Sequence, residues 1–218
     1  RREGIERLQG FSPDVILLDD AFQHRKVRAG LYILLTAYDE MYIDDLLLPA
    51  GNLRESSAGA QRADIIIVTK CPPGLSSEEM QKIREKLKAG KTQDVFFTSI
   101  SYSEKIFSKD DEKRLDEVST EEYCLLTGIA NPKPLLTHLM SKDIQLQHIK
   151  FPDHHNFSEK EIRELEEQPK KILTTEKDYM RLKGRLERKP LYYLPIETLF
   201  LEREGEFNKR ILDFINKK

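Results

Sequence analysis

Short apolar runs separated by longer amphipathic and polar stretches set the plan of this chain. Val15, Ile16, Leu17 and Leu18 stand in a row, bounded by Pro13 and by Asp19 and Asp20. A run this short predicts a parallel strand buried on both faces, with two acids at its carboxyl end. Residues 31–36 and 65–68 predict two further strands, the second ended by T-K-C-P-P-G. Residues 1–9 have the spacing of an amphipathic helix closed by Gly10 as a C-cap. The chain opens R-R-E-G-I-E-R-L without Met, inside that helix, and so reads as the carboxyl-terminal piece of a longer protein. Ser76 or Ser77 caps a helix to about residue 87, with Glu78 and Glu79 favourable in its first turn.

The pattern changes near residue 94. Residues 94–102 alternate as a half-buried strand does, 101–120 are long and charged, and 122–127 form another strand ending in T-G-I-A-N-P. Two strands around a polar excursion predict a connector between domains, with the division at 1–105 and 106–218. The pattern then restarts with a helix over 132–140, a strand over 144–151 and the loop P-D-H-H-N-F. Ser158 opens a helix to 168, with Glu161 completing a capping box. A strand at 171–174, a helix from T-T-E-K-D to about 188, a strand at 191–196 and a closing helix at 206–216 complete the chain. Strands alternating with helices predict α/β architecture with parallel sheets.

Composition narrows the function classes. Lys plus Arg number 36 against 38 Asp plus Glu, a net charge of −2, so no basic field argues for nucleic acid. The two cysteines, Cys71 and Cys124, are far apart and in no metal-ligand spacing, which fits a reduced compartment and buried thiols. No run of 18 apolar residues occurs, and 218 residues suggest one or two domains.

Several positions carry candidate chemistry. Asp19 and Asp20 fall where ligands gather in open α/β sheets, and Mg²⁺ takes one or two carboxylates plus phosphate oxygens; an acidic turn after a core strand is the alternative. His154 and His155 sit in a loop after a strand, suited to proton exchange or serving as polar filler beside a helix cap. No Cys lies near them, which argues against zinc. Lys177 in T-E-K-D belongs either to an anion site or to a capped helix whose Glu176 and Asp178 favour its dipole. Lys70 is a phosphate or base contact, or a solvated strand end. Arg54 and Glu55 either clamp a nucleotide or pair on the surface, and His24 is open between a site role and a turn hydrogen bond.

Four motifs taken together resemble one family. D-D-A-F-Q-H at 19–24, L-L-P-A-G-N-L-R-E at 47–55, F-P-D-H-H-N-F at 151–157 and T-T-E-K-D at 174–178 occur in the order and spacing of the tetraacyldisaccharide 4′-kinases of lipid A and lipopolysaccharide synthesis. The resemblance implies a P-loop-kinase-like α/β/α domain and a smaller α/β domain joined by a two-stranded connector. It implies transfer of the ATP γ-phosphoryl to the 4′-hydroxyl of tetraacyldisaccharide 1-phosphate, giving lipid IVA, at the cytoplasmic face of the Gram-negative inner membrane. By the same resemblance Asp19 and Asp20 match the acids that hold Mg²⁺, with Asp20 and His24 in the catalytic centre. Gln23, Arg54, Glu55 and Lys177 match positions lining the nucleotide and substrate cleft. His154 matches the histidine of a D-H-x-x-F motif that works with an aspartate as a base dyad, while His155 fills a variable place.

The departure from the family pattern is large. No G-x-x-x-x-G-K-[ST] occurs in the 218 residues. The family's phosphate cradle, catalytic aspartate and membrane-binding amino-terminal helix would lie upstream of Arg1, so the larger domain is expected to be truncated and the fragment soluble and inactive by itself. An exposed sheet edge and apolar surface would then favour self-association. Two other classes remain open. A P-loop GTPase or ATPase reading V-T-K at 68–70 as a base contact would need an Asp where Pro72 stands. A non-catalytic interaction module is the third.

Overall fold

The computed structural model describes residues 2–216. In chain order the elements begin α1 (Arg2–Gln9), β1 (Ile33–Ala37), β2 (Ile65–Thr69), α2 (Ser77–Leu87) and β3 (Asp94–Tyr102). Next come β4 (Lys105–Phe107), β5 (Glu112–Arg114), β6 (Tyr123–Thr127), α3 (Lys133–Ser141), β7 (Gln147–Lys150) and α4 (Glu159–Glu167). The chain continues through β8 (Lys171–Thr175), α5 (Glu176–Leu182), β9 (Leu191–Leu194), β10 (Ile196–Phe200) and α6 (Glu204–Ile215). Two compact units result, one running to Ile100 and resuming at Thr198, the other Ser101–Glu197.

The first unit has a four-stranded sheet in the order β1-β2-β3-β10, with β1, β2 and β3 parallel. Alternate side chains of β2 serve opposite faces, as strand geometry requires. Ile66 and Val68 pack with Met80, Ile83 and Leu87 of α2, while Ile65 and Ile67 join Phe96 against Phe207 and Ile211 of α6. Phe96 meets the Phe207 ring edge-on, centroids 5.3 Å apart. That contact explains why the closing helix belongs to the first unit and not, as the division at 106 expected, to the second: its apolar positions cover a face of the first sheet.

The expected strand at 15–18 is not formed. A strand exists only with a ladder partner, and among the described residues β1, at the end of the sheet, pairs with β2 alone. The run therefore carries no strand, with Leu17 87% and Val15 42% exposed. Leu35 of β1 is 63% exposed, so this side of the sheet presents apolar surface.

The second unit has a six-stranded sheet in the order β5-β4-β9-β8-β6-β7. Strands β6 to β9 are parallel, and the β4–β5 hairpin adds antiparallel to β9. The polar excursion after residue 102 is thus an edge hairpin, and β6, read as half of a connector, is a fully buried central strand. The strands that pass between units are β3 and β10, neighbours in the first sheet. Leu125 and Leu173 pack with Leu135 and Leu139 of α3 on one face. Cys124, Leu126 and Ile172 pack with Ile162 and Leu165 of α4 and with Tyr179 and Leu182 of α5 on the other. Burial pushes the Cys124 thiol pKa up and that of Cys71 to about 11, which makes both small hydrophobes rather than nucleophiles.

Helix starts follow the expected caps. Ser76 with Glu79 and Ser158 with Glu161 form complete capping boxes. The Glu161 carboxylate accepts from the Ser158 backbone and hydroxyl and from His155, which hold its pKa down to about 2. The helix from T-T-E-K-D ends at Leu182 instead of near 188, where Lys183 turns extended and Gly184 takes a φ of +82°.

Two measurements test this packing. Phe96→Ala, at a site 1% exposed, is expected to cost about 3–5 kcal/mol in urea unfolding. A carboxyl group whose folded pKa is depressed stabilises fully above its unfolded value and loses that contribution as pH falls toward the folded one. The Glu161 contribution is therefore present above about pH 4.5 and lost toward about pH 2. Thermal melts of Glu161→Gln should accordingly show a shallower loss of stability across that window than the parent chain.

Candidate active site

The first unit gathers one group of predicted residues around the turn at 19–24. Asp20 takes a left-handed φ of 45°, a conformation Asp tolerates better than most residues. Its carboxylate faces the Arg54 guanidinium, which donates to both oxygens, Nη1 to Oδ2 at 3.1 Å. That hydrogen bond, with the opposite charge, raises the Arg54 pKa further. Gln23, with its amide oxygen turned to the guanidinium, accepts from Arg54 Nη1 at 2.8 Å. The turn and the 47–55 loop are thereby tied together.

Glu55 makes a second tie. It accepts from Arg62 at 2.6 Å and Arg25 at 3.2 Å. Partial burial pushes its pKa up, but the hydrogen bonds from the two arginines outweigh this and hold it below the usual carboxylate range. Arg62 also donates to the Phe22 carbonyl and lies over the Phe22 ring at 4.8 Å. His24 is exposed and lines an open recess of about 490 Å³ with Arg25, Arg28 and Arg62. Adjacent carboxylates at 19 and 20 are hard oxygen donors of the kind Mg²⁺ takes beside phosphate. Among the described residues no three His, Cys, Asp or Glu side chains gather to hold a metal, so protein groups alone would leave most positions of such an ion to substrate and water.

The second unit gathers the other group at the carboxyl ends of β6, β7 and β8. From β6 the chain passes to β7 on one side and then back across to β8 on the other. This reversal is a topological switch point, where open α/β sheets form their ligand crevice. Gly128 follows β6, the His154 loop follows β7, and Thr175 ends β8. Asp178, fully buried, joins these ends: its Oδ2 accepts from Gly128 N–H and from the Thr175 hydroxyl, both at 2.8 Å. A Cβ at position 128 would lie 3.1 Å from Asp178 Oδ1, so the close approach favours glycine there.

His154 stands at the rim, 72% exposed, in a left-handed conformation with φ of 57°. Strain of this kind at a non-glycine residue clusters at functional sites. Asp153 Oδ1 accepts from the His154 N–H at 2.9 Å and from Lys177 Nζ at 3.0 Å, and the Lys177 contact holds the Asp153 pKa low. Lys177 Nζ also lies 3.3 Å from His154 Nε2, and Arg181 Nη2 lies 3.0 Å from His154 Nδ1. His155 has another job. It stacks on Phe151, meets Phe157 edge-on and bonds Glu161 at 2.9 Å, which anchors the loop.

Of the residues singled out by sequence, Asp20, Gln23 and Arg54 touch one another, Glu55 adjoins them in sequence, and His154 touches Lys177. Helix α5 is capped by its own Thr175, and Lys177 is engaged by Asp153. Arg25, Arg62 and Arg181 were not foreseen, Asp153 stood in the D-H-x-x-F motif without a role of its own, and Asp178 was read only as a dipole residue. The one local signal was the Asp178–Arg181 spacing of three on a helix.

Comparison with known proteins agrees with this arrangement. A sequence profile of the tetraacyldisaccharide-1-P 4′-kinase family (LpxK) matches residues 1–216. The tetraacyldisaccharide 4′-kinase of Flavobacterium johnsoniae is 48% identical over 221 residues, covering 100% of this chain and 64% of that protein. That of Bacteroides fragilis is 40% identical over 239 residues, with 100% and 64% covered. The chain thus spans just under two thirds of the length of these curated relatives. A crystal structure of LpxK from Aquifex aeolicus in complex with ATP superposes with a TM-score of 0.69 at 27% identity, covering 97% of this chain and 61% of that one. Full-length agreement with the profile, these identities and a shared α/β fold lead to one conclusion: the chain belongs to the tetraacyldisaccharide-1-P 4′-kinase family.

Proposed function

We propose that the chain is part of a kinase that transfers the γ-phosphoryl of ATP to the 4′-hydroxyl of tetraacyldisaccharide 1-phosphate, yielding lipid IVA. The observation that carries this reading is the match of the family profile along residues 1–216, supported by the clustering of the motif residues within each unit. Asp19 and Asp20 would hold Mg²⁺, which when bound neutralises charge on the nucleotide phosphates. Asp20 and His24 are assigned to the catalytic centre with His154, and Gln23, Arg54, Glu55 and Lys177 to nucleotide and substrate binding. The exposed His154 is assigned, with an aspartate, to the sugar hydroxyl. An alcohol's pKa lies far above 7, so in a loose phosphoryl-transfer transition state this pair mainly orients the hydroxyl and takes its proton late. The reaction is placed at the cytoplasmic face of the Gram-negative inner membrane, where such a lipid would be met by a peripheral enzyme. Among the described residues no helix is long and apolar enough to cross a membrane.

The 218 residues contain no G-x-x-x-x-G-K-[ST]. Backbone N–H groups and the lysine of that loop cradle the β- and γ-phosphates, so these residues by themselves are proposed not to turn over.

Transfer of labelled γ-phosphate from Mg-ATP to tetraacyldisaccharide 1-phosphate tests the reading, with the full-length protein that carries this sequence. Product is expected from that protein and none from the 218 residues alone. His154→Ala should lower the rate about 10²-fold or more, the scale of general acid–base catalysis. Absence of product from the well-folded full-length protein would overturn the kinase reading, and an undiminished His154→Ala rate would remove the histidine from it.

A further inference from the structure

We infer that Asp178 and Arg181 are positioning residues that lock the His154 imidazole in one tautomer, with Nδ1 unprotonated and the proton on Nε2. The argument starts at Arg181. A guanidinium has five N–H donors, no lone pair to offer and no accessible deprotonated form. Its Nη2 lies 3.0 Å from His154 Nδ1, so that nitrogen can only accept. In a neutral imidazole one nitrogen accepts and the other carries the proton, and the bond made at one fixes the state of the other. With Nδ1 accepting from Arg181, a neutral ring carries its proton on Nε2. Asp153 Oδ2 lies 3.6 Å from Nε2, on the side where this proton finds a carboxylate. Lys177 Nζ, 3.3 Å from Nε2, likewise has no lone pair and would favour the opposite tautomer, but it already donates to Asp153 Oδ1 at 3.0 Å, so the shorter Arg181 contact at Nδ1 decides between the two.

Arg181 is itself fixed from below. Its Nη1 donates to Asp178 Oδ1 at 3.3 Å and reaches the Gly128 carbonyl at 3.5 Å. Asp178 is fully buried and is held by Gly128 N–H and Thr175 Oγ1, so the carboxylate that aims the arginine is pinned to the ends of β6 and β8. The chain of contacts Asp178, Arg181, His154 runs from the crevice floor to its exposed rim. Its consequence for the reaction rests on the kinase reading: the ring presents a hydrogen-bond donor at Nε2 to the carboxylate or phosphoryl oxygen it meets. The tautomer does not rest on that reading.

The experiment reads the tautomer directly. Two-bond ¹H–¹⁵N correlation spectra are recorded on the 218-residue chain labelled at its five histidines, at about pH 8.5, above the range in which histidine ordinarily titrates. His154→Gln assigns the signal. The expected native pattern is that of a single Nε2–H tautomer for His154. In Arg181→Met, with the circular dichroism spectrum unchanged, both nitrogen shifts should move toward the averaged values of exchanging tautomers. Asp178→Asn should move them in the same direction, and because that variant may fail to fold, Arg181→Met carries the decision. A native Nδ1–H pattern, or shifts that stay put in folded Arg181→Met, would overturn the inference. Neither result depends on phosphoryl transfer, so it is distinguishable from failure of the kinase assignment.

Discussion

A carboxylate taken fully out of water must be repaid by hydrogen bonds and charge, and Asp178 meets that constraint by joining three parts of the second unit. Gly128 and Thr175 end neighbouring parallel strands on either side of the crevice. Arg181 brings the compensating charge, 26% exposed against the fully buried acid. Removing any one partner leaves a desolvated charge short of a bond, which is costlier than the bond's net worth. The arrangement therefore specifies a single geometry for the loops that carry His154. It also explains the residue choices nearby, since only glycine fits at 128 without crowding the acid.

The first unit solves a related problem with surface charge. Glu55 sits between Arg25 and Arg62, and Asp20 is bracketed by the Arg54 guanidinium. Both acids come from loops without a strand ladder to hold them. The Asp20–Arg54 pair is exposed and contributes little stability by itself, so together with the half-buried Glu55 pairs its effect is chiefly to set the register of the 19–24 turn against the 47–55 loop. The cation of Arg62 over Phe22 adds a directional contact to that register. Asp20 and Glu55 are thus matched to guanidinium groups rather than to lysines, and guanidinium geometry suits planar, two-pronged contact with carboxylate or phosphate alike.

What was legible in the sequence was local. The capping boxes at Ser76 and Ser158, the buried strands at 65–69, 123–127 and 171–175, and the helices between them follow from spacing and from short-range hydrogen bonding. What failed was pairing. The run at 15–18 has the composition of a strand, yet composition does not supply a neighbour. The segment at 103–120 reads as a polar excursion because an edge hairpin is half solvated. The closing helix was assigned to the wrong unit because its apolar stripe does not name the face it covers. In the site, motif residues were found by type, while their partners Arg25, Arg62 and Arg181 were hidden: the pairings to Glu55 and His154 span 30, 7 and 27 residues, and no local pattern encodes them.

The order of strands in the second sheet accounts for where those long-range pairings converge. Starting at β6 and stepping first to β7, then back across to β8, places α3 on one face and α4 and α5 on the other. Loops leaving β6 and β8 must therefore part in opposite directions, and the gap between them needs a polar group to satisfy the strand-end backbone. Asp178 is that group. Because it arrives on the first turn of α5, the same turn carries Lys177 beside it and Arg181 one turn on, both facing the loop from β7. A histidine in that loop is then flanked by cations at both ring nitrogens, a surrounding dictated by topology before any substrate is considered.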